Sequence, residues 1–189
     1  MRLSAVLAPL ALAFSVSVGA RVAPRAAADT VVLVVRHAEK AGESGDVALS
    51  AEGEARAQAL VAVAKEAGVT GVITTQYQRT RQTAAPLAAA LGITPTVVAA
   101  SARVPDHARA IADTIRASCA GRTVLVVGHS NTVPAIVAAL GGGASPDLCD
   151  EQYDALFTVV VAPDGKARVV KARFGAPSVL SEKCGNSMR

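Results

Sequence analysis

Thr30-Val-Val-Leu-Val-Val35 runs into Arg36-His37-Ala38 and then into the polar stretch Glu39-Lys40-Ala41-Gly42. Five consecutive β-branched or leucine side chains bounded by a turn predict a strand buried on both faces. Such a strand has no room for a guanidinium or an imidazole in its middle. At its carboxyl end, side chains emerge into the crevice where open α/β sheets bind ligands. The arrangement recurs at Thr123-Val-Leu-Val-Val127, followed by Gly128-His129-Ser130-Asn131-Thr132. Two buried strands therefore deliver one histidine each at their exits, the first beside an arginine that can hold an anion.

Outward from these strands the chain alternates strand and helix, the pattern of a mostly parallel sheet covered on both faces. Ser50 reads as an N-cap with Glu52 and Glu54 in the first turn. Ala55, Ala59, Leu60, Val63 and Ala67 follow at helical spacing, and Gly68 lies past the end. A strand is expected at Val69–Thr74, then a helix through Thr83 to Leu91, stopped by Gly92. Thr96–Ala99 reads as a short strand, and Asp106 as the cap of a helix through Ser118. Val133–Leu140 is a further helix. Tyr153–Val161 and Ala167–Phe174 flank Pro163-Asp164-Gly165, which signals an antiparallel hairpin at one sheet edge. The expectation is a three-layer α/β/α domain over 29–189, with a mostly parallel sheet and an antiparallel edge hairpin.

The first residues read differently. Met1-Arg2 is a short basic start, Leu3–Val18 is uncharged and apolar, and small residues follow. That is the layout of a secretory signal peptide, expected over 1–28 with cleavage after Ala28 preferred to Ala20, although a membrane anchor has a similar appearance. An exported chain, periplasmic or secreted and without stable membrane association once cleaved, is expected. Residues 1–28 hold Arg2, Arg21 and Arg25 and no acid. Removing three positive charges from a net +4 leaves +1, so the basic balance does not describe a nucleic-acid surface. Aromatics make up 3% of the chain, with no Trp, which also argues against base stacking.

Three cysteines are present. Cys149 and Cys184 lie in polar segments flanking the hairpin and are expected to bridge, as an oxidising compartment permits. Cys119 sits in a helical pattern and reads as a buried thiol. No Cys-x-x-Cys or His-Glu-x-x-His occurs, so no metal site and no cofactor is expected.

Three strand exits carry polar groups: Arg36-His37, then Arg79 and Arg81, then His129-Ser130-Asn131. Guanidinium forks match phosphate oxygens, and an imidazole can attack phosphorus. Gly128-His129-Ser130-Asn131-Thr132 nearly matches the nucleophile elbow Gly-x-Ser-x-Gly. It lacks the final glycine, however, and no histidine follows Ser130, as the hydrolase order requires.

Arg36-His37-Ala38-Glu39 resembles the Arg-His-Gly-Glu signature of the histidine phosphatase superfamily, the group that includes phosphoglycerate mutases. Gln78-Arg79-Thr80-Arg81-Gln82-Thr83-Ala84 resembles its second arginine motif, and Val127-Gly128-His129-Ser130 its second-histidine motif. The resemblance implies a phosphoglycerate mutase-like fold and a metal-independent phosphatase acting on a small phosphorylated substrate. It implies His37 as the nucleophile that becomes phosphohistidine, and Arg36, Arg79 and His129 as the phosphate-binding groups. The small phosphohistidine-protein phosphatases and an inactive phosphate-binding module on the same fold are the alternatives. Arg81, two residues from Arg79 on a helix, points elsewhere and is left out.

The chain departs from the mutases where they carry Asn after the first motif, since Lys40, Ala41, Gly42 and Glu43 stand here. Their acidic proton donor also has no direct counterpart. Asp106 is the candidate for it, or else a plain helix cap, with His107 as second choice.

Overall fold

The structure is a computed structural model that describes residues 27–182 and 184. The expected signal segment lies, up to residue 26, outside the described residues. Six strands form one sheet: β1 (Thr30–Arg36), β2 (Gly71–Thr74), β3 (Thr96–Val97), β4 (Thr123–Gly128), β5 (Ala155–Val161) and β6 (Ala167–Arg173). Their order is β3-β2-β4-β1-β5-β6. The first four run parallel, and β5 and β6 are antiparallel. Four helices complete the fold: α1 (Ala51–Glu66), α2 (Gln78–Leu91), α3 (Val104–Ser118) and α4 (Thr132–Ala139). The expected three-layer domain with its edge hairpin is what forms.

The period of two along the strands builds two cores from one sheet. Val32 and Val34 of β1, with Val124 and Val126 of β4, pack on Ile111 and Ile115 of α3 and Ile136 of α4. Leu33 and Val35, with Leu125 and Val127, pack on Leu60 of α1 and Leu87 of α2. Both faces being covered explains the unbroken apolar runs. No helix among the described residues is long and apolar enough to cross a membrane.

Several boundaries differ from expectation. β2 starts at Gly71 and β3 ends at Val97, because Val69 and Val98 sit at the strand ends outside the ladder. The cap assigned to Asp106 is corrected: α3 begins at Val104, with Pro105 in its first turn, a position where a missing N–H costs nothing. Ser50 does cap α1, its hydroxyl accepting from Gly53 N at 3.2 Å. Cys149 and Cys184 form a disulfide with Cα atoms 5.7 Å apart, and Cys119 is a buried thiol.

Helix α1 docks directly under the segment that follows His37. Ser50 N donates to Glu39 O at 3.0 Å. A Cβ on Gly53 would press on that carbonyl oxygen and stand 3.0 Å from Glu39 N. Alanine is the better helix former by about 1 kcal/mol, but overpacking against fixed backbone costs about 1–3 kcal/mol. Gly53→Ala should therefore destabilise the chain, by about 1 kcal/mol net, in urea unfolding. A gain in stability would show that α1 can retreat from Glu39.

Candidate active site

The carboxyl ends of β1, β2 and β4 open on one cleft of about 510 Å3, whose lining includes Arg36, His37, Tyr77, Arg79, His129 and Asp150. Register puts them together. Arg36 is level with Gly128, and His37 N donates to Gly128 O at 2.9 Å. His37 thus stands beside His129, with ring centroids 5.4 Å apart and edge to face. Helix α2 is tied to the same exit, since Ala38 N donates to the Thr83 hydroxyl at 2.9 Å. That contact carries Arg79, one turn earlier, to the cleft. Four of the five expected site residues, Arg36, His37, Arg79 and His129, converge.

The tautomer of His37 follows from its neighbour. Nδ1 lies 2.8 Å from Ala38 O, and a carbonyl can only accept, so Nδ1 carries the proton and Nε2 the lone pair. Burial, followed by the charges of Arg36, His129 and Arg79, pushes the imidazole down to a pKa of about 3. A neutral ring with a free Nε2 is the nucleophilic form.

His129 is set by a chain of hydroxyls. The Thr80 hydroxyl donates to Tyr77 O at 2.9 Å or to Thr75 O at 3.2 Å, which leaves its oxygen to accept from the Thr75 hydroxyl at 2.9 Å. Thr75 Oγ1 then accepts from His129 Nε2–H at 3.2 Å. Burial and the positive charge of Arg79 push His129 down to about 4.

Arg36 is buried and Arg79 half-buried, and the nearest carboxylates, Asp150 and Asp46, stand only at 3.8 and 4.0 Å. Arg36 Nη1 donates to Cys149 O and Asp150 O, both at 2.8 Å. The guanidinium also lies 4.2 Å over the Tyr153 ring. Its Nε–H, and that of Arg79, are buried with no hydrogen-bond partner among the described residues. Arg79 Nη1 reaches only Gly45 O at 3.4 Å and the Asp46 carboxylate at 4.0 Å. Unpartnered buried donors are costly, and two of them on charged groups in one cleft make a receptor for an anion. No group of three or more His, Cys, Asp or Glu among the described residues is arranged to hold a metal.

The structure does not bring Asp106 to the cleft. Val104 turns toward it from the start of α3, and two residues further on Asp106 is exposed and paired with Arg103 at 3.4 Å. His107 is buried, with Nδ1 3.1 Å from Ala99 O, and burial lowers its pKa. The carboxylates that do line the cleft are Glu43 and Asp150. Glu39, inside the first motif, accepts from Arg56 Nε at 2.9 Å and Nη2 at 2.7 Å and is thereby committed to holding α1.

Sequence reasoning missed Tyr153 and the carbonyls of the loop before β5. The signal was available in the hairpin. β5 runs antiparallel to β1, with Val35 level with Leu156, so residues just before β5 lie at the exit of β1. It also missed Thr75, whose position just past the end of β2 placed it at the same strand exit as Arg79.

Residues 32–100 match the model of the histidine phosphatase superfamily (branch 1), a span that includes Arg36, His37 and Arg79. No curated protein sequence gives a match. Among solved structures, the protein histidine phosphatase SixA complexed with tungstate is similar at a TM-score of 0.60 and 18% identity, covering 76% of this chain and 96% of that one. Mycobacterial glucosyl-3-phosphoglycerate phosphatase with inorganic phosphate gives 0.59 at 16% identity, covering 80% and 99%. YhfR of Bacillus stearothermophilus gives 0.59 at 18%, covering 75% and 95%. At these identities the agreement with the solved structures is one of fold. The family match covers the first histidine and second arginine motifs, and the solved phosphatases share the fold that carries them.

Proposed function

We propose that the chain is a phosphatase that hydrolyses small phosphomonoesters through a phosphohistidine on His37, with no metal required. The observation that carries this reading is the pair of buried, unpartnered Nε–H groups of Arg36 and Arg79 flanking a neutral imidazole. A phosphate dianion satisfies both donors and puts phosphorus in reach of Nε2. Nε2 attacks phosphorus as the ester P–O bond breaks, the departing oxygen takes its proton from a water molecule in the open cleft, and the hydroxide so formed cleaves the N–P bond to regenerate the imidazole and release phosphate. Arg36 and Arg79 stabilise charge on the transferring oxygens, the task that metal ions do elsewhere. His129 joins them, since a bound dianion favours its protonated form.

A second reading, hydrolysis of phosphohistidine on a protein, draws support from the place of Asp106. With that carboxylate on the solvent side of α3, the site suits a leaving group that takes up its own proton, as an imidazole does. The proposal extends to an exported chain, a reading supported by the Cys149–Cys184 bridge. A mature amino terminus near residue 29, read by mass spectrometry from the native host, would establish it.

An aryl phosphate assay in EDTA tests the main reading. Turnover should persist, acid-labile label from substrate should appear on the protein, and His37→Ala should abolish both. Turnover without His37 would overturn it, and an inert wild-type chain would leave a phosphate-binding module. Arg79→Ala should cost on the order of 10²–10³-fold in kcat/KM, the scale for losing one preorganised donor. Asp106→Asn should change it less than twofold, and a large loss confined to poor leaving groups would return the proton-donor role to Asp106.

The neutral histidines also make stability depend on pH. In the unfolded chain His37 and His129 take up protons below their ordinary value of 6.5, whereas in the folded chain they do so only near 3 and 4. The unfolded state binds more protons in that window, so stability falls as pH drops from about 6.5 toward 4. The urea midpoint should be lower at pH 4.5 than at pH 7, and added phosphate should raise it. Histidine NMR titrations centred at 6.5 for both rings would contradict the account.

A further inference from the structure

The wall of the cleft that holds Arg36 has no regular structure of its own. Residues 152–154, between the turn at 150–151 and β5, carry neither helix nor strand. Yet Arg36 Nη1 donates to Cys149 O and Asp150 O at 2.8 Å and to Gln152 O at 3.5 Å. Three carbonyls from one loop therefore take up the Nη1 end of the guanidinium. The opposite edge keeps Nε–H and one Nη2–H, the parallel pair that fits two oxygens of a phosphate.

What holds the loop is the chain after β6. Ser181 N donates to the Glu151 carboxylate at 2.6 Å. The Ser178 hydroxyl accepts from Tyr153 N at 2.9 Å and Asp154 N at 3.1 Å. The covalent part of this strap is the bond between Cys149, whose own carbonyl grips Arg36, and Cys184, 35 residues later.

We propose that the Cys149–Cys184 disulfide is a positioning element of the anion site: it holds the carbonyls of residues 149–152 around Nη1 of Arg36, and its reduction weakens phosphate binding. This rests on the reading of the cleft given under Proposed function. An arginine whose Nη1 end is released can rotate its Nε–Nη2 edge away from the anion, and losing that orientation costs affinity even though the charge remains. The activity of the protein is thereby coupled to the thiol–disulfide balance around it.

Titration calorimetry with inorganic phosphate tests this on the full chain, oxidised and reduced. Dithiothreitol passes two electrons and two protons to the bridge, giving two thiols and closing to its own cyclic disulfide. Circular dichroism records that the chain stays folded. Reduction should raise the phosphate Kd about tenfold and act on turnover chiefly through KM. In Arg36→Lys the Kd should be the same in both redox states, because an ammonium cannot hold the carbonyls and present a fork at once. The double variant Cys149→Ser/Cys184→Ser should match the reduced chain, and if it does not fold, reduction of the already folded protein decides. An unchanged Kd on reduction, or an equal loss in Arg36→Lys, overturns the inference. Failure of the oxidised chain to bind phosphate at all would instead overturn the phosphatase reading beneath it.

Discussion

The side-by-side pairing of β1 and β4 is the constraint on which the rest depends. Both strands are buried on two faces, and Val35 stands level with Val127 and Arg36 with Gly128. From Val32 to Val35 of β1 and Val124 to Val127 of β4 every buried side chain is apolar, because an unpaired polar group there costs free energy and a charge far more. Chemistry is therefore forced to the strand ends, and the register forces the two ends together. β1 is also braced by β5 on its other side, so its exit cannot fray. His37 is held by packing before any ligand arrives, the preorganisation that an anion site needs.

The two most buried arginines show how one residue type is put to opposite uses. Arg56 and Arg36 are 5% and 3% exposed. Arg56 is neutralised by the Glu39 carboxylate and donates to Phe174 O at 3.0 Å, which makes it a strut between α1 and the end of β6. Arg36 is gripped by carbonyls and by an aromatic face, partners that orient a guanidinium without cancelling its charge. The carboxylate of Asp150 lies 3.8 Å away and is 95% exposed, where solvent screens it. The uncancelled charge remains available to an anion.

The histidines complete the electrostatic design. Each is kept neutral by burial and by the arginines around it. Neutrality leaves a lone pair on Nε2 of His37, as the proposed attack requires, and it avoids stacking four positive charges in one hole. On the proposed function, a dianion in the cleft would offset the two guanidinium charges and favour protonation of His129.

The sequence by itself determined the layers, the strand exits and four residues of the site. Those features are local: runs of Val and Leu have no other stable place than a doubly covered sheet, and polar groups at their ends have no other exit. The Cys149–Cys184 pairing was legible for a related reason, since the hairpin between them returns the chain to where it left. Tertiary structure alone decided what surrounds each group. Asp106 follows a strand and opens a helix like a catalytic acid, yet starting α3 at Val104 turned it to solvent. Arg56 carries no local signal of burial, and the docking of α1 under Glu39 buries it against that carboxylate. The carbonyl cage around Arg36 carries no side-chain signature at all. It is made by backbone more than a hundred residues away, and no local pattern records which carbonyls a fold will bring to a guanidinium.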